Sequence, residues 1–447
     1  MSLDSIEEVA ERQNFYASHL AEVNKQMDVV STENIYNKNG VLIVPKGMHI
    51  SSDVAKKILA HKLENPLEEQ VRLGDTITHT RLLYYIGTLL KKYGDLYQIH
   101  ARNCFDKSFE NLVVNVKISP ILLQKLTVLQ KQLPKEYDKS LFCGWLAALI
   151  AHEMKLETQL VAHAFIAGLV HDIGLLNICP DILNKKSALT AGEWRAIQSH
   201  VVVGKLLLIN MRDIHASVAT AVLEHHERCD GSGYPIGKSE ENLTVLGQVV
   251  AMADSMQSIR INQFEKLGRN MRDALPYLHM NSTIHFQKVY EAMCSILKKS
   301  ALNPTAVNPF SGFPQYIAHL IKRGTQLKKV VEILEPLVQM TTTHKDEKKC
   351  AMKLWKVSQP VVQMIFSSGL LTDHFMDCLH KFKKDPDGVA MEELCEVELM
   401  QNELYWQIKK IDKSIDGCLE ENHSAMESQS RKVLEDFSRH LKEVLAG

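Results

Sequence analysis

The sequence predicts a mainly α-helical protein with a small α+β appendage at its N-terminal side and a helical C-terminal region. Three observations carry this expectation. A hairpin signal lies within the first 80 residues, apolar residues recur at helical spacing from about Thr80 onward, and Asn303-Pro304 and Asn308-Pro309 interrupt that pattern. The expected divisions are 1–80, 81–302 and 303–447.

Taken in order, residues 1–30 read as a polar helix, suited to docking or dimerisation. Asn34-Ile35-Tyr36 and Val41-Leu42-Ile43-Val44 flank Asn37-Lys38-Asn39-Gly40, and an Asn-Gly between two apolar runs signals a hairpin. Pro45-Lys46-Gly47 ends the second strand, and Ser51, Ser52 or Asp53 caps a helix from Val54 to about Leu63. Helical spacing then links Ile121, Leu122, Leu126 and Leu129, followed by Leu146, Leu149, Ile150 and Met154, and by Val161, Phe165, Ile166, Leu169 and Val170. His171-Asp172 closes the last of these helices, with Gly174 as its terminator. Thr190 and Glu193 form a capping box that opens a helix carrying His200. A helix from about Ile214 delivers His225-His226, and one over Leu246–Ile259 carries Asp254 among apolar neighbours. From about residue 316 the pattern is amphipathic helix, broken at Asp385-Pro386-Asp387-Gly388 and ending in a charged helix over Glu420–Leu445.

Composition narrows the class. With 447 residues, 45% of them hydrophobic and 23% charged, the chain is an ordinary globular length, with room for roughly two or three domains. A formal net charge of −1 supplies no basic field, so no DNA or RNA polymer is expected as partner. A small anionic nucleotide needs only local positive charge, which metal ions provide. Nine cysteines without a CxxC pair read as reduced thiols of a cytoplasmic protein. Met1–Asn14 lacks the basic-then-apolar order of a signal peptide, and the runs Trp145–Ala151 and Val245–Ala253 are too short to span a bilayer.

The chemistry concentrates in four places: His171-Asp172, His200, Asp254, and the stretch His225-His226-Glu227-Arg228-Cys229-Asp230-Gly231-Ser232-Gly233-Tyr234-Pro235. A bare His-Asp pair means little in a chain with 20 histidines. Joined to a double histidine and a glycine-tyrosine-proline turn, it describes a multi-metal site. An aspartate can bridge two cations while neutral imidazoles fill outer positions. Carboxylate with imidazole suits two divalent ions, iron or manganese before zinc. An unpaired carboxylate at Asp254 would be costly in an apolar helix, which favours a ligand there. Cys179 and Cys229 read as neutral thiols, and His152, His163, His215, His279 and His285 as structural. Lys205, Lys185 and Lys186 can reach a phosphate, although charged residues on helix faces are usually solvated.

These residues carry a resemblance. The stretch from about Ser140 to Ile259 resembles an HD-GYP domain of the HD phosphohydrolase superfamily, through His171-Asp172-Ile173-Gly174, Pro180–Lys185, His200 with Gly204, the His225–Pro235 motif and Ala253-Asp254. The resemblance implies an HD-superfamily helical bundle over 81–302 that hydrolyses cyclic di-GMP or a related cyclic dinucleotide to a linear product. It implies metal ligands at His171, Asp172, His200, His225, His226 and Asp254, with Asp172 bridging and His171-Asp172 at the catalytic centre. Gly231, Gly233, Tyr234 and Pro235 would shape the substrate pocket and present backbone N–H groups, with Lys205 as a further contact. The helical regions would offer a homodimer interface.

The departures open a second reading. Lys139 stands where the family carries a histidine, Leu175 where it carries a lysine, Ile236 where it carries an arginine, and Gln257 where it carries an aspartate. A charged ammonium is a poor ligand, so Lys139 reads as a solvated side chain and two metals are expected rather than three. The alternative to the enzyme is a degenerate module that binds nucleotide or metal without turnover and signals through its C-terminal helices.

Overall fold

A computed structural model describes residues 15–211, 213–305, 312–344, 349–384, 391–421 and 428–446. Of the helix expected over 1–30, the part before residue 15 falls outside them, as do the Asn308-Pro309 interruption and the Asp385–Gly388 break; the rest is helical only over Tyr16–Asn24. The chain divides into two units. The first runs to Cys229 and adds Gly233–Ile259 and His285–Ala301; the second holds Asp230–Ser232, Arg260–Ile284 and the chain from Leu302. These limits differ from those expected at 80 and 302, because the appendage joins the helices after it and Arg260–Ile284 groups with the C-terminal helices.

The first unit begins with α1 (Tyr16–Asn24), β1 (Val29–Ser31), β2 (Ile35–Tyr36), β3 (Leu42–Val44), α2 (Ser52–Leu59) and β4 (Val71–Leu73). The Asn-Gly hairpin forms as expected: β2 and β3 pair antiparallel, Ile35 opposite Val44 and Tyr36 opposite Leu42, around Gly40 at φ +75°. Asn37 steadies the turn, its Oδ1 accepting from the amides of Asn39 and Val41. A second antiparallel pair, β1 with β4, was not foreseen. Strands of three residues, forty apart in sequence, carry no period to read. Ser51 caps α2, its Oγ accepting from Val54 N at 3.3 Å. That helix stops at Leu59 rather than Leu63, where exposed His61 and Lys62 offer nothing to the core.

A buried cluster explains why the appendage is not separate. Lys125 is wholly buried, with Nζ 3.2 Å from Glu68 Oε1 and 3.7 Å from the Tyr16 ring centroid. Thr127 Oγ1 accepts from Ile77 N at 2.9 Å. Breaking such a pair strands a charge without water, so the two parts are held together.

Helices α3 (His79–Lys92), α4 (Gly94–Arg102), α5 (Asp106–Asn115), α6 (Pro120–Gln132), α7 (Pro134–Glu153) and α8 (Thr158–Val170) follow. Pro120 and Pro134 open their helices at the first turn, where the missing N–H costs nothing. From Ser140 to Ala151 α7 is buried on every side, which its unbroken apolar run demands. Trp145 is buried there and its Nε1 donates to His100 Nδ1 at 3.2 Å. The unit continues through α9 (Ala191–Gln198), α10 (His200–Ile209), α11 (Ala216–Glu224), α12 (Val245–Ile259) and a helix over Gln287–Lys299. The Thr190–Glu193 capping box is present at the start of α9, so His200 opens the following helix, α10, instead of riding on α9. α7, α8 and α12 pack on one another, and α11 packs on α8, α10 and α12. Thr158–Asn177 is long and apolar enough to cross a membrane by composition, but 78% of its window is buried inside this unit.

The second unit contains helices Ala274–Met280, Phe313–His344, Lys349–Ser367, Asp373–Lys384, Met391–Glu421 and Ser428–Ala446. Its core joins Leu327, Val330, Leu354, Ile408 and Leu434, with a second cluster around Tyr316, Leu320, Leu379 and Leu394. Buried Arg269 is held 3.0 Å from Glu398. This is the amphipathic packing that the sequence pattern from residue 316 anticipates.

Candidate metal centre

Three histidines stand just past the ends of helices. His171 caps α8, His200 follows α9, and His225 caps α11. The last carbonyls of a helix lack their full set of amide donors and are free to bind side chains. Each ring uses one: Nδ1–H donates to the carbonyl three residues back, Gly168 at 2.8 Å, Ile197 at 2.7 Å and Val222 at 2.7 Å. That bond fixes a proton on Nδ1 and turns Nε2 inward, where it offers a lone pair whenever the ring is neutral.

The three Nε2 atoms converge on Asp172. Its Oδ1 lies 3.1 Å from His200 Nε2 and 3.8 Å from His225 Nε2, while its Oδ2 lies 3.2 Å from His171 Nε2. His171 Nε2 is nonetheless buried without a hydrogen-bond partner. Asp254 Oδ1 sits 3.9 Å from His171 Nε2, and Asp254 Oδ2 sits 3.6 Å from His226 Nδ1. Two donor groups result, each with ligand atoms within 4.8 Å of one another: Asp172, His200, His225 and His226 in one, and Cys143, His171 and Asp254 in the other. An orphaned buried nitrogen, imidazole lone pairs facing each other and a carboxylate with one oxygen toward each group are what divalent cations satisfy. The residues fit divalent metal ions.

Charge in the cluster is finely balanced. Burial disfavours a charged His171, but the adjacent Asp172 and then Asp254 outweigh it, and its pKa is pushed up to about 9. Burial likewise works against the Asp172 charge, and His171 and His200 hold that carboxyl well below its usual range. Burial, then the neighbouring imidazoles, keep His225 and His226 neutral far below the ordinary histidine range. Burial raises the Asp254 carboxyl and lifts the Cys143 thiol well above normal.

Glycines set the spacing. A Cβ on Gly174 would fall 2.1 Å from His200 O, so the backbone after His171-Asp172 touches the start of α10. Gly174 is therefore not the terminator expected for α8; that helix ends at Val170 and Gly174 lies in a 3₁₀ turn. A Cβ on Gly233 would fall 2.4 Å from Glu227 Cα, pressing the loop onto the turn after the double histidine.

The loop residues divide. Tyr234 stacks on His226, ring centroids 4.6 Å apart, and its N–H donates to His226 O at 3.1 Å. Ser232 N–H donates to Asp230 Oδ1 at 2.9 Å. The expectation that Gly231–Pro235 presents amides to a substrate therefore narrows to Gly231 and Gly233. Pro235 carries no N–H. Lys205 is not gathered into the cluster: five residues beyond His200, it is turned about 140° around α10.

The sequence reading gave no role to three groups. Cys143 comes from α7, remote in sequence and without a spacing signal. Glu227 is fully buried and its carboxylate accepts from the amides of Ile236 (2.8 Å), Gly237 (3.0 and 3.1 Å) and Lys238 (3.0 Å). Buried Glu224 accepts from Lys238 Nζ at 2.6 Å and from Thr244 Oγ1 at 2.6 Å. The double-histidine motif thus carries its own clasp for the loop that follows.

Comparison with known proteins agrees with this arrangement. Residues 119–288 match the HD domain family. Over 133 residues the chain is 36% identical to a cyclic di-GMP phosphodiesterase of Pseudomonas aeruginosa, covering 30% of this chain and 32% of that one. It is 32% identical over 158 residues to a cyclic di-GMP phosphodiesterase of Thermotoga maritima, covering 35% and 43%. A 3′3′-cGAMP-specific phosphodiesterase of Vibrio cholerae is 28% identical over 137 residues, covering 31% and 29%. The aligned stretches span less than half the length of each of these relatives. Residues 119–288 are thus similar to HD domains, and the aligned relatives are phosphodiesterases of cyclic dinucleotides.

Proposed function

We propose that the chain is a metal-dependent phosphodiesterase that opens cyclic di-GMP, or a related cyclic dinucleotide such as a cyclic GMP-AMP, to a linear product. The observation that carries this reading is Asp172, whose two oxygens face two separate sets of imidazole and carboxylate donors. The named activities of the relatives, two on cyclic di-GMP and one on 3′3′-cGAMP, support the substrate class.

Two divalent cations, iron or manganese, would be held by His171, Asp172, His200, His225, His226 and Asp254. When bound, such a pair supplies Lewis acidity and a water of lowered pKa. The chain supplies the rest. The carbonyl-anchored Nδ1–H groups keep three Nε2 atoms aimed before any ion arrives, so little reorganisation of the rings is needed. Burial raises the Asp254 carboxyl, and a cation held beside it would favour its ionised form. Asp254 and His226, 18% and 21% exposed against 0% for His171, mark the side from which a phosphate can approach. Tyr234 fixes the His226 ring on that side, and Glu227 holds the loop behind it.

In this reading residues 81–302 are the catalytic domain, 1–80 and 303–447 are accessory, and the protein works in the cytoplasm on a diffusible nucleotide, with the helical regions as a homodimer interface. The test is hydrolysis of cyclic di-GMP and 3′3′-cGAMP by protein loaded with Fe(II) or Mn(II), beside the His171→Ala/Asp172→Ala variant. Linear product from the parent alone supports the reading; equal turnover in both rejects it.

A further inference from the structure

Lys139 lies on the helix that supplies Cys143. Cys143 Sγ, His171 Nε2 and an Asp254 oxygen lie within 4.8 Å of one another. Residues four apart on a helix share a face, with Cβ atoms about 5–6 Å apart, so Lys139 stands one turn along α7 from that donor group. Its side chain is 31% exposed, and its Nζ lies 2.5 Å from Glu136 Oε2. Burial opposes its charge, but Glu136, Asp172 and Asp254 together outweigh burial and keep the amine protonated. Lys139 is thus neither a ligand nor the freely solvated residue that its sequence position suggests.

Three other cations, Arg228, Lys238 and Lys185, are committed to partners of their own. The Arg228 guanidinium donates to the carbonyls of His225 and Glu227, at 3.0 and 2.8 Å. Lys238 is bound to buried Glu224, and Lys185 to Glu193 at 2.6 Å. Leu175 is apolar and buried, and Ile236 carries no charge. The partner of Lys139 is different in kind. Glu136 is a part-exposed carboxylate three residues away on the same helix, and such pairs exchange readily for a better anion.

We propose that Lys139 is the phosphate-binding cation of this site, its ammonium moving from Glu136 to a non-bridging oxygen of the bound phosphodiester. This rests on the phosphodiesterase reading. It would let α7 supply the substrate-facing charge that Leu175 and Ile236 lack.

The test uses the full chain loaded with Mn(II), a bis-phosphorothioate analogue of cyclic di-GMP as binding probe, and cyclic di-GMP for turnover. Lys139→Met should weaken probe binding on the order of tenfold and raise KM more than it lowers kcat, with metal content and Tm unchanged. Lys139→Arg should restore most of the affinity, and Glu136→Gln, which releases the ammonium, should tighten binding. Added salt should narrow the gap between parent and Lys139→Met. Equal affinity and KM in parent and Lys139→Met overturn the proposal. So does loss of metal together with binding, which would make Lys139 a structural prop. If Lys139→Met does not fold, Glu136→Gln decides: unchanged or weaker binding overturns it. A parent that neither binds probe nor turns over substrate sinks the phosphodiesterase reading as well, whereas an active parent with a silent Lys139→Met sinks only this inference.

Discussion

His200 Nε2 and His225 Nε2 face each other at 3.4 Å while both rings keep their protons on Nδ1, each bonded to a carbonyl 2.7 Å away. With each Nδ1 committed to a carbonyl, the two Nε2 atoms are the donors left to share a cation beside them. Divalent metal should therefore stabilise the fold. At a free concentration a hundred times Kd the gain is about 2.7 kcal/mol, read as a rise in Tm. His200→Ala/His225→Ala should lose most of that rise; an undiminished rise would place the metal elsewhere.

The pH dependence should change sign with metal. In the metal-free chain His171 has a pKa of about 9 against an unfolded value near 6.5, so its contribution is complete below about pH 6.5 and is lost as pH climbs through 9. His225 and His226, held neutral, oppose this only below about pH 6.5. The Tm of chelated protein should fall across this window. Metal must displace the His171 proton, so metal affinity should rise over the same window. A metal affinity indifferent to pH from 6.5 to 9 would contradict the assignment of His171.

Gly174→Ala puts a methyl where His200 O already stands. The start of α10 must shift, costing about 1–3 kcal/mol of stability. Chemical denaturation should show that loss, and metal titration should show weakened occupancy, because the shift moves His200 away from Asp172. Parent-like values in both would mean that the contact is not tight.

Glu227→Gln leaves a carboxamide N–H₂ facing amide donors. Stability should drop by about 1–3 kcal/mol, and KM should rise as the loop after Tyr234 loosens, with two metals still bound. A change in metal content without a change in KM would show that the clasp serves the ligands rather than the loop.

Much of this was legible in the sequence because the fold is built from periodic helices. The apolar period placed α8 and α12, and the Asn-Gly turn placed the β2–β3 hairpin. The six expected ligands carry chemistry in their residue types, and the structure brings them together. What escaped was non-periodic or non-local. The β1–β4 pair is too short to show a pattern, Cys143 arrives from a separate helix, and Gly174 reads like a helix stop while acting as a contact point. Arg260–Ile284 continues a helical pattern, and only its packing assigns it to the C-terminal unit. Lys205 looked useful from its charge alone, but helix geometry turns it away.

Metal content and turnover measured on the same anaerobically purified protein test the central claim most directly. The account predicts two divalent ions per chain and linear product from cyclic di-GMP or 3′3′-cGAMP, both lost in His171→Ala/Asp172→Ala. A parent chain that binds no divalent ion, or that releases product equally well after chelation, would contradict it.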